Sequence, residues 1–69
     1  MYYYLIERES VSAKFFDVFG DKEWKTVKEE KEDRRDSGAL AKNLRIISFR
    51  RAPSHKELLA RLEKESVRV

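Results

Sequence analysis

The sequence contains no cysteine and only one histidine, His55. Without cysteine the chain can form no disulfide, no thiolate metal site and no thiol nucleophile, and one imidazole cannot build a histidine-based metal site. No apolar stretch approaches the roughly 20 residues of a transmembrane helix, and the first residues lack the basic segment of a signal peptide. We therefore expect a cytoplasmic protein with no metal, no small-molecule cofactor and no membrane partner.

Glycine is also scarce, and this excludes the common phosphate-binding loops. The two glycines, Gly20 and Gly38, are far apart in the chain. His55 is the only side chain that ordinarily titrates near neutral pH, but it is predicted in the first turn of an exposed helix. A general base needs a defined neighbour and a pocket, so the sequence predicts no catalytic residue and a protein that is not an enzyme.

Charged residues are abundant, and they are unevenly distributed along a chain short enough to form one domain over residues 1–69. Residues 1–33 carry six Lys and Arg against nine Asp and Glu, a balance of −3, whereas residues 34–69 carry ten against four, a balance of +6. The basic half is compatible with an anionic partner, and equally with two halves that attract each other inside one fold. The 42% charged fraction occurs in thermophile proteins and in small viral and accessory proteins.

Three segments have the aromatic and aliphatic composition of strands. They are residues 2–8, 13–19 and 44–50, and the glycine at position 20 marks a turn after the second. We expect the first two to pair as an antiparallel hairpin, with the first strand at an edge of the sheet.

The segment after the hairpin is compatible with either a strand or a helix. Trp24 and Val27 lie three residues apart, as on a helix face, but no further apolar residue extends the stripe. We therefore favour a short third strand at about 24–28 and keep a helix within 22–33 as the alternative. Residues 29–38 contain no apolar side chain, and this composition predicts a charged, mobile loop.

The last element has the clearest signals. Ser54 is followed three residues later by Glu57, and this spacing is a capping box, in which each side chain satisfies a free backbone amide at the helix start. Leu58, Leu59 and Leu62 then line one face. The sequence predicts a helix over about 54–66, and with the strands it predicts an α+β fold: a small antiparallel sheet with a C-terminal amphipathic helix.

The predicted strands are apolar on both faces. In the first, Tyr2, Tyr4 and Ile6 alternate with Tyr3 and Leu5, although a sheet with one wet face alternates apolar and polar residues. In the other two strands, Phe15 and Phe19 oppose Phe16 and Val18, and Leu44 and Ile46 oppose Ile47 and Phe49. One helix covers one face only. The second face therefore needs a curled sheet, the segment 29–43, a second copy or a partner.

An uncovered aromatic face is typical of a protein interaction surface, since large exposed apolar patches mark such sites and tyrosine is enriched in them. We therefore expect a small non-catalytic protein-binding module, of the inhibitor, adaptor or subunit type, whose partner is another protein or a second copy. The residues predicted to bind protein are Tyr2, Tyr3, Tyr4, Phe15 and Trp24.

Nucleic-acid binding is the alternative, because proteins of that class combine basic side chains with aromatic rings. The basic residues that would serve it lie in the C-terminal half, and some precede the helix start, where free amides attract anions. These residues are Arg34, Arg35, Arg45, Arg50, Arg51 and Lys56.

Overall fold

The structure of the protein, a computed structural model, describes residues 1–66; residues 67–69 of the predicted domain lie outside the described residues. It has an α+β fold, as predicted from the sequence. The elements in chain order are β1 (Tyr2–Glu7), β2 (Phe16–Asp21), α1 (Trp24–Asp36), a single 3₁₀ turn (Ala41–Asn43), β3 (Leu44–Phe49) and α2 (His55–Glu65).

The three strands form one antiparallel sheet in the order β2-β1-β3. The predicted hairpin of β1 and β2 is confirmed, and Tyr4 of β1 lies opposite both Gly20 of β2 and Ile47 of β3. The prediction that the first strand lies at an edge is wrong, because β3 pairs with β1 along its whole length. The edges of the sheet are β2 and β3.

The second strand begins later than predicted and contains a bulge. Leu5 pairs with Phe19, but its neighbour Ile6 pairs with Asp17, so Val18 is an extra residue in β2. A bulge of this kind interrupts the alternation of side chains along a strand. As a result Val18 and Phe19 pack against the same core cluster, and the prediction that they lie on opposite faces is wrong.

Helix α1 replaces the short strand and the mobile loop that were predicted between the hairpin and β3. The predicted strand is wrong, because residues 24–36 form one helix, as in the alternative kept for residues 22–33. The same helix takes up most of the predicted loop 29–38, whose mobility stays a prediction. The helix ends in a Schellman motif: the amide of Gly38 donates to the carbonyl of Arg35, and the amide of Ala39 donates to that of Arg34. Gly38 has a φ of 110°, which a residue with a Cβ atom rarely adopts.

The two helices cover opposite faces of the sheet. On the α1 face, Val27 packs into a buried cluster with Leu5 and Leu44. On the α2 face, Leu58 and Leu62 pack into a second buried cluster, joined by the strand residues Ile6 and Ile47 and by Phe15 from the β1–β2 connection. The second face is therefore covered by the chain itself, with α1 as the covering element.

Helix α2 has the boundaries and the cap that the sequence predicts. Ser54 accepts a hydrogen bond from the amide of Glu57, and the Glu57 carboxylate accepts one from the amide of Ser54. Leu58 and Leu62 are buried, whereas Leu59 points partly to solvent, with an exposed fraction of 48%. The capping box is thus confirmed, and so are Leu58 and Leu62 of the apolar stripe, whereas the prediction that Leu59 shares their face is wrong.

Candidate functional site

The three tyrosines of β1 lie half-buried within the fold of the chain itself. Tyr3 packs on the α1 face and Tyr4 on the α2 face. The ring centroid of Tyr4 is 5.4 Å from that of Tyr2 and 6.0 Å from that of Phe49, which it meets edge to face. Burial raises the pKa of the Tyr4 hydroxyl, and the neighbouring Tyr2 and Asp17 raise it further. These rings therefore contribute mainly to the core.

Phe15 is almost fully buried, and two guanidinium groups lie close to its ring. The Cζ atoms of Arg8 and Arg45 lie 4.8 and 4.9 Å from the centre of its ring, a distance at which a cation is attracted to an aromatic face. Arg45 also donates to Glu65 at 2.6 Å, and Arg61 donates to the same carboxylate at 2.9 Å. Phe15 and Arg45 are thus part of a network that attaches α2 to the sheet.

The predicted basic site is divided among different elements. Arg34 of α1 forms an ion pair with Glu7 at 2.6 Å, and Arg45 is bound to Glu65 as described. Four members of the set are exposed and form no ion pair among residues 1–66: Arg35 on α1, and Arg50, Arg51 and Lys56 around the start of α2.

The outer edge of β3 presents unpaired backbone groups. The amide of Arg8 donates to the carbonyl of Asn43 at 2.9 Å, so by antiparallel alternation residues 45, 47 and 49 direct their backbone groups to β1. Residues 44, 46 and 48 direct theirs outward. The Leu44 amide donates to Ala41, and the Ser48 carbonyl accepts from Arg61. Within the described chain, the amides of Ile46 and Ser48 and the carbonyls of Leu44 and Ile46 remain available.

A groove runs between α1 and this edge, and we call it the edge groove. Its volume is about 160 Å³. Positions 24, 28, 31 and 35 of α1 recur every three or four residues and therefore lie along one side of the helix. The residues that line the edge groove are Trp24, Lys28, Lys31, Glu32, Arg35 and Ile46.

Trp24 forms an apolar end of the edge groove, and Lys28 places a positive charge beside the ring of Trp24. The side chain of Trp24 is 48% exposed, and the Lys28 ammonium lies 5.1 Å from the centre of its ring. Lys31, Arg35 and Lys28 together outnumber Glu32 in the lining. The arrangement offers an aromatic surface, a surplus of positive charge and a row of free backbone groups at one place.

The sequence anticipated part of this site. Trp24 and Arg35 were among the predicted binding residues, whereas Lys28, Lys31 and Ile46 were not. The recurring spacing of positions 24, 28, 31 and 35 was visible in the sequence, but it becomes informative only when the segment is known to be a helix.

The described part of the chain offers little for other kinds of chemistry. No group of three or more His, Asp or Glu within residues 1–66 is arranged to hold a metal ion. Neither α1 nor α2 is long and apolar enough to cross a membrane.

The fold and the groove define a small α+β protein with an open sheet edge. Comparison of the chain with protein-family models, with curated proteins and with solved structures finds no match. The proposals below are therefore based on the geometry of this chain alone.

Proposed function

We propose that this protein is a non-catalytic protein-binding module that captures an extended segment of a partner protein along the outer edge of β3. The observation that carries the proposal is the row of outward backbone groups on this strand, centred on Ile46. Extended peptides add to exposed sheet edges by pairing with such groups, and neighbouring pockets then read their side chains.

The edge groove supports the proposal because it lies beside the available backbone groups. Ile46 belongs both to the edge and to the groove lining. Every second side chain of an added strand would point towards α1, where Trp24 is half exposed. An aromatic ring of this kind gives a binding surface a large contact area at low entropy cost.

The location differs from the aromatic sheet face suggested by the sequence. That suggestion depended on a face left open to solvent, and α1 and α2 cover the two faces. Trp24 is the one member of the predicted aromatic set that belongs to a strongly exposed surface. The class of function is therefore retained, and the proposed binding site moves to the edge of β3.

Two alternative partners are less well supported. A second copy pairing β3 with β3 would bring the cations of the two edge grooves near each other, and like charges oppose such contacts. Nucleic-acid binding by the basic set is weakened because Arg34 and Arg45 already pair with Glu7 and Glu65. Of the remaining members, Arg35 lies on α1, whereas Arg50, Arg51 and Lys56 lie around the start of α2.

The experiment is a selection of octapeptides from a random display library against the full chain, followed by NMR amide exchange with the selected peptide. We expect the amides of Ile46 and Ser48 to become protected when the peptide binds, because they would donate to its carbonyls. A library that yields no binder would overturn the proposal. A bound peptide that leaves both amides exchanging at their original rates would overturn it as well.

A matched pair of variants at one position isolates the backbone contact. Ser48→Pro removes an outward amide, and proline is tolerated on an edge strand where the amide faces solvent. Losing one hydrogen bond of about 1 kcal/mol should weaken peptide binding by a factor of about five. Ser48→Ala keeps the amide and should bind within about twofold of the parent. If Ser48→Pro proves unfolded by thermal melt, amide protection in the parent chain decides the question.

A further inference from the structure

We propose that the partner segment is acidic, with carboxylates at alternate positions that face α1 and bind Lys31 and Arg35. This inference rests on the proposed function, because it assigns the side-chain preference of the strand captured at β3. The partner segment is an extended peptide rich in Asp or Glu.

The spacing of two cations on α1 matches the spacing of side chains on an extended strand. Lys31 and Arg35 are four residues apart on α1, a rise of about 6 Å along the helix. In an extended strand, residues that point to the same side recur every 6.6–6.8 Å or so. Two carboxylates at positions i and i+2 of a captured strand therefore match the separation of the two cations.

The charged side chains that line the edge groove are mainly positive. Lys28, Lys31 and Arg35 line it against a single carboxylate, Glu32. None of the three cations forms an ion pair within the described chain. Cations near an open backbone edge favour an anionic partner and disfavour a basic one.

An acidic peptide fits the edge groove and the β3 edge better than a nucleic acid does. A single-stranded nucleic acid could stack on Trp24 and approach the same cations, but it has no peptide backbone that could pair with both the amides and the carbonyls of β3. The carboxylate of Glu32 in the edge groove also opposes a continuous row of phosphates. Discrete carboxylates at alternate positions avoid both difficulties.

The test uses three acetylated octapeptides made of threonine, except at positions 3 and 5, which carry Glu, Gln or Lys. Binding to the full chain is followed by NMR, with the amide of Ile46 and the indole of Trp24 as reporters at peptide concentrations up to the millimolar range. We expect the Glu peptide to bind at least about tenfold more tightly than the Gln peptide, and the Lys peptide to bind least. Added salt should reduce the difference, because it screens charges at the surface.

Charge-reversal variants locate the preference. Lys31→Glu and Arg35→Glu should each abolish the advantage of the Glu peptide over the Gln peptide. Lys25→Glu changes the net charge equally on the same helix, but Lys25 is exposed and does not line the edge groove. It should leave the ratio within about twofold.

The outcomes distinguish the inference from the proposed function. If the three peptides bind equally and all shift the Ile46 amide, the charge preference is wrong and strand capture stands. If none shifts the Ile46 amide, strand capture is wrong and the inference falls with it. If an oligothymidylate shifts the Trp24 indole at lower concentration than the Glu peptide does, the acidic-peptide inference is wrong and a nucleic acid is the better ligand.

Discussion

The ring of Tyr4 lies across Gly20 on the neighbouring strand. The two residues are direct partners in the β1–β2 register, and a methyl group at position 20 would lie 2.6 Å from the Cε1 atom of Tyr4 and 2.9 Å from two further ring atoms. The glycine is therefore required by the close approach of the ring. The ring in turn covers a backbone that would otherwise face solvent, an arrangement used to stabilise glycine in sheets.

Gly20→Ala should destabilise the protein by about 1–3 kcal/mol, because the new methyl group displaces the Tyr4 ring from Tyr2 and Phe49. A denaturant titration measures the change. In a Tyr4→Leu background the same substitution should cost much less, since alanine is otherwise preferred to glycine within a strand. An equal loss of stability in both backgrounds would show that the Tyr4 ring does not clash with the new methyl group.

Leu58→Ala and Leu62→Ala should each lower the free energy of unfolding by about 2–5 kcal/mol, because each leaves a cavity in the core beneath α2. Leu59→Ala is the matched control on the same helix. With 48% of its surface already exposed, Leu59 should contribute about 0.5 kcal/mol or less. The prediction fails if thermal melts rank Leu59→Ala with the other two.

Glu65 should make the stability of the fold dependent on pH in the acid range. Burial raises the pKa of this carboxyl, but hydrogen bonds and charge from Arg61 and Arg45 outweigh burial and leave the pKa below its ordinary value. A depressed folded-state pKa means that the stabilisation is present above the unfolded-state pKa of about 4.3. It is lost as the pH falls through the folded-state pKa.

Glu65→Gln should therefore reduce stability at pH 7 and have much less effect at the acid end, where the parent carboxyl is protonated as well. Denaturant titrations at several pH values would measure this. Glu63→Gln is the control, because the Lys14–Glu63 pair is largely exposed and pairs of that kind contribute little. A loss that is the same at every pH would point to packing rather than ionisation.

Helix α1 should exchange its amide hydrogens faster than β1. Val27 is its one buried residue, and the ion pair of Arg34 with Glu7 is half exposed, so local opening of the helix exposes little apolar surface. Regions with few buried contacts open at low free energy. Exchange rates for residues 29–36 as slow as those for Leu5 and Ile6 would contradict this expectation.

The parts of the fold that could be predicted from the sequence are those with local signals. The capping box of Ser54 and Glu57 and the spacing of Leu58 and Leu62 define α2 without reference to the rest of the chain. Helix α1 also has a local signal, the glycine at position 38 that ends it, but its apolar stripe contains little beyond Val27. Charged positions four residues apart, which support a helix, can be mistaken for a solvated loop.

The strand order could not be predicted, because it depends on a pairing between distant segments. Apolar residues on both faces of β1 were interpreted as evidence of an uncovered surface. They are equally the pattern of a central strand between two layers, and the choice depends on whether residues 24–36 form a helix. The bulge at Val18 has no glycine to mark it, and it shifts every residue before it in β2 to a different face.

The edge groove depends both on residues with local sequence signals and on pairing between distant segments. Trp24 and Arg35 stood out in the sequence as an aromatic and a basic residue, but their common side of α1 depends on the helix. The open backbone groups around Ile46 depend on the strand order. A site formed by the edge of β3 and one side of α1 therefore cannot be predicted from the sequence until the strand order and the helix are both known.

The central position of β1 also affects the order in which the chain can fold. Its pairing with β2 closes only the connection of residues 8–15, whereas its pairing with β3 must wait until residue 44 is available. Closing longer loops costs more conformational entropy, and non-local pairings form later.

During synthesis on the ribosome, the hairpin is complete while one edge of β1 and its α2 face are still uncovered, because Leu58 and Leu62 are among the last core residues to emerge. A nascent chain at that stage exposes apolar side chains and unpaired backbone groups together, the combination that promotes aggregation. The risk to this protein is therefore concentrated in the interval before α2 emerges, and a chain truncated before α2 would remain in that state permanently.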